Sequence, residues 1–472
     1  MKIFITGTTG YIGKRLAHKL LEAGHELVCA VRDLERIPVE FQRSGRVTFL
    51  KVDFLNIEPV ILPKDIDAAY YLIHSMSTSA DDFQKLEVQC AKNFKELIIT
   101  TTCEQVIYLS GIVNDDSLSK HLKSRFEVEK TLKSDQYGLT TLRAGIIVGS
   151  GSASFEIIRD LVEKLPVMVT PRWLNTKTQP IAIRDVLSYL SGALGKKELY
   201  GGSYDIYGPE ILTYKQMLLQ FAAVRGLKRH IYTLPVLSPR LSSYWLYFVT
   251  STSYKLAVAL VNSMKVEVVG RPSVIDKIIN INPLSYKEAV ELAFQKIEQN
   301  TVISSWKDAM SSGVFSDQLA DHIEVPKYGC YNDVRTRIVQ NEQGTLQKIW
   351  CIGGVNGWYS FGFLWKIRGL MDKLVGGVGL RRGRTQPCEL EAGDALDFWR
   401  VLLANKEQKR LLLYAEMKLP GEAWLEFRIE NNNLIQRAVF RPKGLWGRLY
   451  WYLVLPFHAF VFNGMINALV KP

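Results

Sequence analysis

The chain has 472 residues and a mass of 53.6 kDa, which is too large for one hydrophobic core and predicts two or three domains. Hydrophobic residues make up 47% of the chain and charged residues 22%, a balance that is typical of globular proteins and excludes a largely disordered one. The net charge of +12 is spread evenly, with six excess cations in residues 1–300 and six in residues 301–472, so we expect no nucleic-acid groove; anionic cofactors or a membrane surface fit this charge equally well.

The cysteines and the N-terminus indicate the compartment. No Cys-x-x-Cys pair occurs, so the sequence predicts reduced thiols buried as small hydrophobic side chains, and no bound metal. The N-terminal MKIFITGTTG is too short an apolar run for a signal peptide, and we therefore expect a cytoplasmic protein. The cysteines are Cys29, Cys90, Cys103, Cys330, Cys351 and Cys388.

The first 150 residues alternate short β-branched segments with amphipathic ones, which predicts parallel strands joined by crossing helices. One helix is predicted between Phe83 and Ile98, where apolar residues recur at helical spacing. We therefore expect a doubly wound α/β core. Its strands are predicted at Lys2–Thr6, Glu26–Arg32, Val47–Asp53, Ala68–Ile73, Gln105–Ser110 and Thr140–Val148.

Three glycines at three-residue spacing follow the first strand and precede an amphipathic helix. In such a unit the first glycine permits a tight turn, the second makes room for a pyrophosphate, and the third lets helix and strand pack closely. The N–H groups that open the helix would then bind the diphosphate. The alternative is a glycine-rich turn without a ligand. The residues expected to contact a dinucleotide here are Gly7, Thr9, Gly10, Tyr11, Ile12 and Gly13.

Arg32 ends the second predicted strand, where a dinucleotide-binding fold places an acid for a ribose hydroxyl or an arginine for a 2′-phosphate. Arg32 therefore favours NADP(H), whereas NAD(H) is expected if the neighbouring Asp33 binds the ribose and Arg32 is a surface side chain. Asp53 ends the third strand and, with Phe54, is placed to reach the adenine. Asp53 can equally serve as a helix N-cap.

Prolines punctuate residues 151–300, which is expected where a Rossmann core carries a substrate lobe. Beyond residue 300 lie eight of the ten tryptophans, and apolar and polar residues alternate over 423–430, which predicts an antiparallel strand with one buried face. Further strands are predicted at Tyr331–Val339, Leu346–Ile352, Arg410–Lys418 and Leu434–Arg441, and a long final helix at Gly444–Val470.

Residues 1–300 resemble the short-chain dehydrogenase/reductase superfamily, in its extended and atypical NmrA-like branch. The resemblance rests on the glycine turn, the strand end at Arg32, Asp53, the stretch Tyr71 to Ser75, and Leu109-Ser110-Gly111. It implies that Leu72, Ile73 and His74 lie against the cofactor, with His74 acting as neither acid nor base. It also implies that Ser110 contacts a substrate carbonyl.

The catalytic pair of that superfamily is a Tyr-x-x-x-Lys motif, and this chain departs from it. His121 occupies the tyrosine position and Arg125 the lysine position. Arg125 can still bond ribose hydroxyls, and a histidine beside that charge is held in its neutral form, able to donate a hydrogen bond to a carbonyl. The alternative is that His121 belongs to a solvated helix face and that the fold binds a dinucleotide without turnover.

Residues 301–472 resemble a domain of unknown function that is often fused to such dehydrogenases, of the helix-grip class that includes START and birch-allergen-like proteins. Gly357-Trp358-Tyr359, the Gly376 to Arg384 loop and Asp397 to Arg400 carry part of this resemblance. It implies an α+β domain in which an antiparallel sheet wraps one long helix and holds an apolar ligand; a filled core is the alternative.

The final helix contains no charged residue from Leu449 to Val470, a run long enough to span a bilayer. Pro456 and several polar residues interrupt it, and the resemblance implies a buried helix, so we expect no span, with peripheral membrane contact left open. Three arginines, Arg381, Arg382 and Arg384, lie in a glycine-rich loop that either grips an anionic head group or is simply solvated.

These observations predict a dinucleotide-binding domain over residues 1–300 and a helix-grip domain over 301–472. The first expectation for its function is an NADP(H)-dependent oxidoreductase acting on a hydrophobic carbonyl or quinone-like compound that the C-terminal domain captures. The second is a non-catalytic redox sensor or accessory subunit of a complex, which the missing Tyr-Lys pair favours. The third is a protein that carries an apolar ligand or lipid. The sequence does not indicate an oligomeric state.

Overall fold

The structure is a computed structural model that describes residues 1–32, 34, 37, 41, 44–56, 60–73, 83–113, 120–234, 258, 261–298, 330–380, 388–442 and 444–471. His74, Asp33 and the three loop arginines lie outside the described residues, as does the side chain of His121. The chain divides into two compact units, Met1–Ser312 and Gly313–Pro472. The boundary predicted at residues 300 and 301 falls in the part of the chain that is not described.

A parallel sheet organises the first unit. Its strands are β1 (Lys2–Thr6), β2 (Glu26–Val31), β3 (Val47–Lys51), β4 (Ala68–Tyr71), β5 (Gln105–Gly111), β6 (Gly138–Ala144) and β11 (Ser203–Ile206). In the described part of the chain these strands pair in the order β11-β6-β5-β4-β1-β2-β3, all in parallel. The order runs outward from β1 in both directions, as in a doubly wound fold, and this confirms the predicted fold class.

Helices cover both faces of this sheet, which is why its strands are continuous apolar runs; Ile3, Phe4 and Ile5 of β1 are fully buried. The helices next to the sheet are α1 (Tyr11–Glu22), α2 (Phe83–Ile98), α3 (Lys120–Leu132) and α5 (Ile183–Gly192). The predicted helix between Phe83 and Ile98 is thus confirmed. The predicted strand Thr140–Val148 is wrong in part, because the chain leaves the sheet at Gly145.

The rest of the first unit is a smaller lobe of short strand pairs and helices. Its core joins the rings of Phe155, Phe221 and Phe294, whose centroids lie 5.3–5.4 Å apart. The paired strands are β7 (Ile147–Val148) with β10 (Ile181–Ala182), β8 (Val167–Pro171) with β13 (His230–Leu234), and β9 (Lys177–Thr178) with β12 (Leu212–Thr213). The helices are α4 (Ala153–Lys164), α6 (Tyr214–Val224), α7 (Ile275–Ile278) and α8 (Tyr286–Glu298).

The second unit is built on an antiparallel sheet. Its strands are β14 (Tyr331–Ile338), β15 (Ala395–Leu396), β16 (Trp399–Asn405), β17 (Arg410–Ala415), β18 (Gly421–Glu430) and β19 (Asn433–Pro442). Within the described residues they pair in the order β14-β19-β18-β17-β16-β15. The helices are α9 (Glu342–Trp350), α10 (Gly362–Leu374) and α11 (Gly444–Val470). An antiparallel sheet with a long C-terminal helix confirms the predicted architecture of this part.

The predicted strand Leu346–Ile352 is wrong, because these residues lie in α9 and the turn after it. The side-chain oxygen of Asn341 accepts the N–H of Gly344 at 2.9 Å and caps this helix. Leu346, Ile349 and Trp350 are spaced so that they share one helical face as readily as they fill a strand. A short apolar run does not separate the two structures.

The prediction of one buried face for β18 is also wrong. Trp424 and Glu426 were expected to face solvent, but both are buried. The ring of Trp424 packs edge-on against Tyr414 at 5.3 Å between centroids, and Glu426 accepts a hydrogen bond from Arg410 Nε at 2.7 Å. Because β18 lies between two strands that carry long side chains, the neighbours cover its outer face.

The prediction of reduced thiols is wrong for one pair of cysteines. Cys351 and Cys388 form a disulfide across a sequence separation of 37 residues, which leaves no short motif in the sequence. Cys29, Cys90 and Cys103 are buried thiols as predicted, and burial raises the pKa of each to about 12.

The final helix has the predicted bounds but is not buried along its whole length. Its second half packs into the core of the second unit through Met465, Ile466 and Leu469, whereas Trp446 and Phe460 in the first half are 78% and 68% exposed. The prediction of a buried helix is therefore wrong for the first half. By length and composition alone, Trp446–Val470 is apolar enough to cross a membrane.

Candidate dinucleotide-binding site

The order of the strands places a crevice at the carboxyl edge of the parallel sheet, between β1 and β4. Along the chain β1 is followed by β2 on one side of it, and β4 is followed by β5 on the other side, so the strand order reverses between β1 and β4. In open α/β sheets ligands bind at such a point. The glycine turn follows β1 directly and therefore lies in this crevice.

Each glycine of the turn meets a different constraint. Gly7 has a φ of +71°, and a Cβ there would also lie 2.8 Å from the carbonyl oxygen of Leu72. The N–H of Gly10 donates to the Gly7 oxygen at 2.9 Å and closes the turn. A Cβ on Gly13 would lie 2.1 Å from that same oxygen, so only glycine lets α1 approach the turn.

Gly10 directly precedes the first N–H groups of α1 and has few neighbours. Among the described residues a Cβ on Gly10 would meet only the Gly7 oxygen, at 3.1 Å. No side chain in the described part of the chain caps α1, and its first turn contains no acid. The N–H groups at a helix start have no acceptor within the helix, so this end of α1 can receive the oxygens of a diphosphate.

Two side chains that the sequence did not single out support the turn. Arg15 is buried, lies over the ring of Tyr11 at 4.2 Å, and donates through Nη2 to the carbonyl of Ser150 at 2.9 Å. Burial raises the pKa of Tyr11 to about 12, an effect that Arg15 opposes. Thr8 Oγ1 is buried and has no hydrogen-bond partner among the described residues. The sequence does place Arg15, a charged residue, on the apolar face of the predicted helix α1, and this position indicates a buried partner.

Arg32 and Asp53 lie near each other, after β2 and β3. Arg32 is exposed. Burial raises the pKa of the Cys90 thiol; the charge of Asp53 raises it further and the charge of Arg32 lowers it. Asp53 Oδ1 accepts the N–H of Leu55 at 3.0 Å, which fixes the turn that follows β3. The ring of Phe54 is buried and packs against Phe94, 6.0 Å away between centroids.

The chain after β4 forms the opposite wall of the crevice. The N–H of Leu72 donates to Thr6 Oγ1 at 3.0 Å, and its carbonyl lies against Gly7. Leu72 and Ile73 are partly buried. The structure brings Leu72 to the glycine turn, while the contact of Leu72 and Ile73 with a cofactor stays a prediction and His74 lies outside the described residues.

Ser110 and Arg125 come together where β5 ends. Ser110 is buried, and Arg125 Nη1 donates to the carbonyl of Leu109, the residue before it, at 3.1 Å. Burial raises the pKa of Tyr108, while Arg125 and Ser110 oppose that shift. His121 lies on α3 one turn before Arg125, which places its backbone on the same side of the helix.

A buried carboxylate near Arg125 was not predicted. Glu87 on α2 accepts a hydrogen bond from Ser124 Oγ at 2.5 Å and raises the pKa of Arg125, as Tyr108 does, against the burial that lowers it. Arg125 thus ties α3 to β5 in a polar cluster beneath the crevice. Spacing along the sequence cannot show such a cluster, because Glu87 reaches it from a different helix.

Two parts of the chain match known families. Residues 3–133 match the model of the NAD dependent epimerase/dehydratase family. Residues 329–465 match DUF2867, a family described as a protein of unknown function. The chain has no match among curated proteins.

Several solved structures resemble about three fifths of the chain at low sequence identity. The UDP-glucuronic acid 4-epimerase of Bacillus cereus, solved with NAD, is 18% identical, with 63% of this chain and 97% of that one covered and a TM-score of 0.48. A nucleoside-diphosphate-sugar epimerase of Staphylococcus aureus is 14% identical, with 62% and 100% covered and a TM-score of 0.49. The UDP-glucose 4-epimerase of Thermotoga maritima is 13% identical, with 63% and 99% covered and a TM-score of 0.48.

Proposed function

We propose that the first unit binds a nicotinamide dinucleotide, with its diphosphate on the glycine turn and the start of α1. The carrying observation is the build of the turn: Gly7 and Gly13 leave no room for a side chain, whereas a Cβ on Gly10 would meet one atom among the described residues, the Gly7 oxygen at 3.1 Å. The family match over residues 3–133 supports the same cofactor class.

NADP(H) is the favoured form, with NAD(H) as the alternative. Arg32 is an exposed cation at the end of β2, where a 2′-phosphate would lie. Asp53, its acidic neighbour, already accepts the Leu55 N–H through one oxygen, and so competes less for a ribose hydroxyl. A guanidinium matches phosphate geometry through paired N–H donors.

The proposed reaction is the reduction or oxidation of a hydrophobic carbonyl or quinone-like compound. A bound dinucleotide would supply or accept the hydride. Ser110 would donate a hydrogen bond to the substrate oxygen, and His121 would hand over or take up the proton at that oxygen. Arg125 would hold the ribose side of the site by its charge. The second unit would present the apolar substrate, and we propose a cytoplasmic site of action.

A non-catalytic role is the second candidate, and one observation favours it. The Arg125 guanidinium donates to the Leu109 carbonyl and lies beside Glu87 and Tyr108. These interactions stabilise the fold and give Arg125 a structural role. A dinucleotide would then stabilise a protein that senses redox state or supports a partner.

His121→Ala separates these two candidates. If His121 moves the proton, the rate of NADPH oxidation with a panel of apolar aldehydes, ketones and quinones falls by about 100-fold or more, while NADPH affinity is unchanged. Lys123→Ala, an exposed position on the same helix, is the matched control and keeps the rate. NADPH binding without turnover of any compound in the wild type would select the non-catalytic candidate.

A further inference from the structure

Helix α10 exposes an apolar stripe. Gly369 and Asp372 are buried on the inner side of this helix. The exposed residues recur at the spacing of a single helical face, and each is 50–66% exposed. The stripe residues of α10 are Phe363, Ile367, Leu370, Met371 and Leu374.

The first half of α11 exposes a second stripe of the same kind. Trp451 on the opposite side packs between Tyr331 and Phe440 of the sheet, with centroids 5.3 and 5.8 Å away. The outer residues follow helical spacing and are 50–78% exposed. The stripe residues of α11 are Trp446, Leu449, Leu453, Phe457 and Phe460.

The two helices lie against each other. Arg368 of α10 lies over the ring of Tyr450 in α11 at 5.7 Å, and the rings of Trp365 and Phe462 are 6.5 Å apart. We call the two stripes together the apolar face. Ten large apolar side chains exposed on two helices of one unit mark an interaction site.

An exposed cation, Lys366, lies beside the apolar stripe of α10, and exposed acids do not occur on either helix. Arg448 of α11 is also exposed but lies on the Trp451 side of the helix, near Tyr331. Asp372 is the one acid in the sequence of α10, and it is buried, accepting the N–H groups of Gly379 at 2.8 Å and Lys418 at 2.7 Å. The sequence of α11 contains no acid at all. Large apolar and aromatic side chains flanked by cations are the composition of helices that lie in a membrane interface.

We infer that the apolar face docks the second unit on the surface of a membrane that contains anionic lipids, with α10 and the first half of α11 in the interfacial layer. Trp446 and Tyr452 fit the headgroup level, where amphipathic rings are favoured. Lys366 meets lipid phosphates. This inference is independent of the proposed enzymatic activity.

Insertion across the bilayer does not suit this helix. Val461, Phe462 and Met465 are buried in the core of the second unit, so a span would pull them out. The exposed part from Trp446 to Phe460 is about 22 Å long at 1.5 Å per residue, shorter than the roughly 30 Å of a hydrocarbon core. A second copy of the chain is disfavoured as the occupant, because pairing two identical faces brings cations towards cations.

Flotation of the purified full chain with lipid vesicles tests the inference. We expect the protein to float with vesicles of phosphatidylcholine and phosphatidylglycerol, and less with phosphatidylcholine alone or at high salt. Ile367→Glu combined with Leu453→Glu should abolish flotation, whereas Ile61→Glu, an 88% exposed apolar position in the first unit, should leave it unchanged. Lys366→Ala keeps the apolar face and should weaken binding to anionic vesicles by about 5-fold.

Four results would overturn it. The wild type stays at the bottom of the gradient with both vesicles, or the double glutamate variant floats as well as the wild type while its melting temperature is unchanged. In the third, light scattering shows that the wild type is a dimer and the glutamate variant a monomer, and neither binds vesicles. The apolar face then pairs two copies of this chain. Resistance of the vesicle-bound protein to alkaline extraction would also contradict docking, since it indicates a span.

Discussion

Gly10 and Gly13 belong to the same turn, yet a methyl group added to each would meet different surroundings. At Gly10 the φ of −88° and ψ of 171° suit alanine, and the new Cβ would lie 3.1 Å from one oxygen. At Gly13 it would lie 2.1 Å from a backbone oxygen that cannot move away.

Gly10→Ala should therefore remove dinucleotide binding and spare the fold. Its free energy of unfolding should change by less than about 1 kcal/mol, while affinity for NADPH falls by at least about 30-fold, because the methyl group displaces the diphosphate from its N–H donors. Gly13→Ala should lose about 1–3 kcal/mol of stability from overpacking. Urea unfolding and fluorescence titration of both variants measure the contrast. Equal destabilisation of both, with NADPH affinity kept in Gly10→Ala, would contradict this account of the turn.

At this scale the sequence predicts what a local rule governs. The glycine spacing and the start of α1 follow from short-range constraints, and the structure agrees with the roles predicted for Gly7 and Gly13. The surroundings of Arg125 do not follow, because Leu109, which accepts its hydrogen bond, lies on β5 and Glu87, which acts on its charge, lies on α2. Arg15 was equally hidden, since its acceptor at Ser150 lies 135 residues away.

Among the helices and strands, the wrong predictions concern segments whose sequence pattern does not show which residues are buried. Periodicity places a helix at α2 and strands at β1 to β5, because each has one clear pattern. Leu346–Ile352 has apolar residues that suit a strand or a helix, and the cap at Asn341 decides for the helix. For α11 the composition is apolar all round, and only the structure distinguishes the half that enters the core from the half that is exposed.

The disulfide between Cys351 and Cys388 joins the turn after α9 to the segment before β15. Closing a loop of this length removes unfolded-state entropy worth about 3–4 kcal/mol, so Cys351→Ser with Cys388→Ser should lower the stability of the second unit by up to that amount. Cys330→Ser is the control outside the disulfide. Denaturant unfolding measures the loss, and mass spectrometry after alkylation without reduction checks the pairing.

Full alkylation of both cysteines in the unreduced protein would contradict the disulfide. The result also bears on location, because disulfides are rare in reducing compartments and a cytoplasmic protein was expected. Alkylation in intact cells, before lysis, shows whether Cys351 and Cys388 are paired there or are free thiols, as expected of a cytoplasmic protein.

For the whole molecule, two units with different chemistry share one chain. The first has a glycine turn at the start of α1 and an exposed arginine, Arg32, after β2, and the second has an aromatic-rich core and an exposed apolar face. An enzyme acting on apolar compounds and a membrane-docking surface fit together, since such substrates dissolve in lipid. Fold class was predictable at this scale because hydrophobic period changes near residue 300, from alternating strands and helices to mainly strand-like alternation.

Calorimetric titration of the full chain with NADPH and with NADH tests the central claim, that the turn opening α1 holds a dinucleotide. The account predicts one site per chain, tighter for NADPH than for NADH, and no measurable heat with Gly10→Ala. The wild-type protein giving no heat with either dinucleotide at millimolar concentration, while folded by its melting curve, would contradict it.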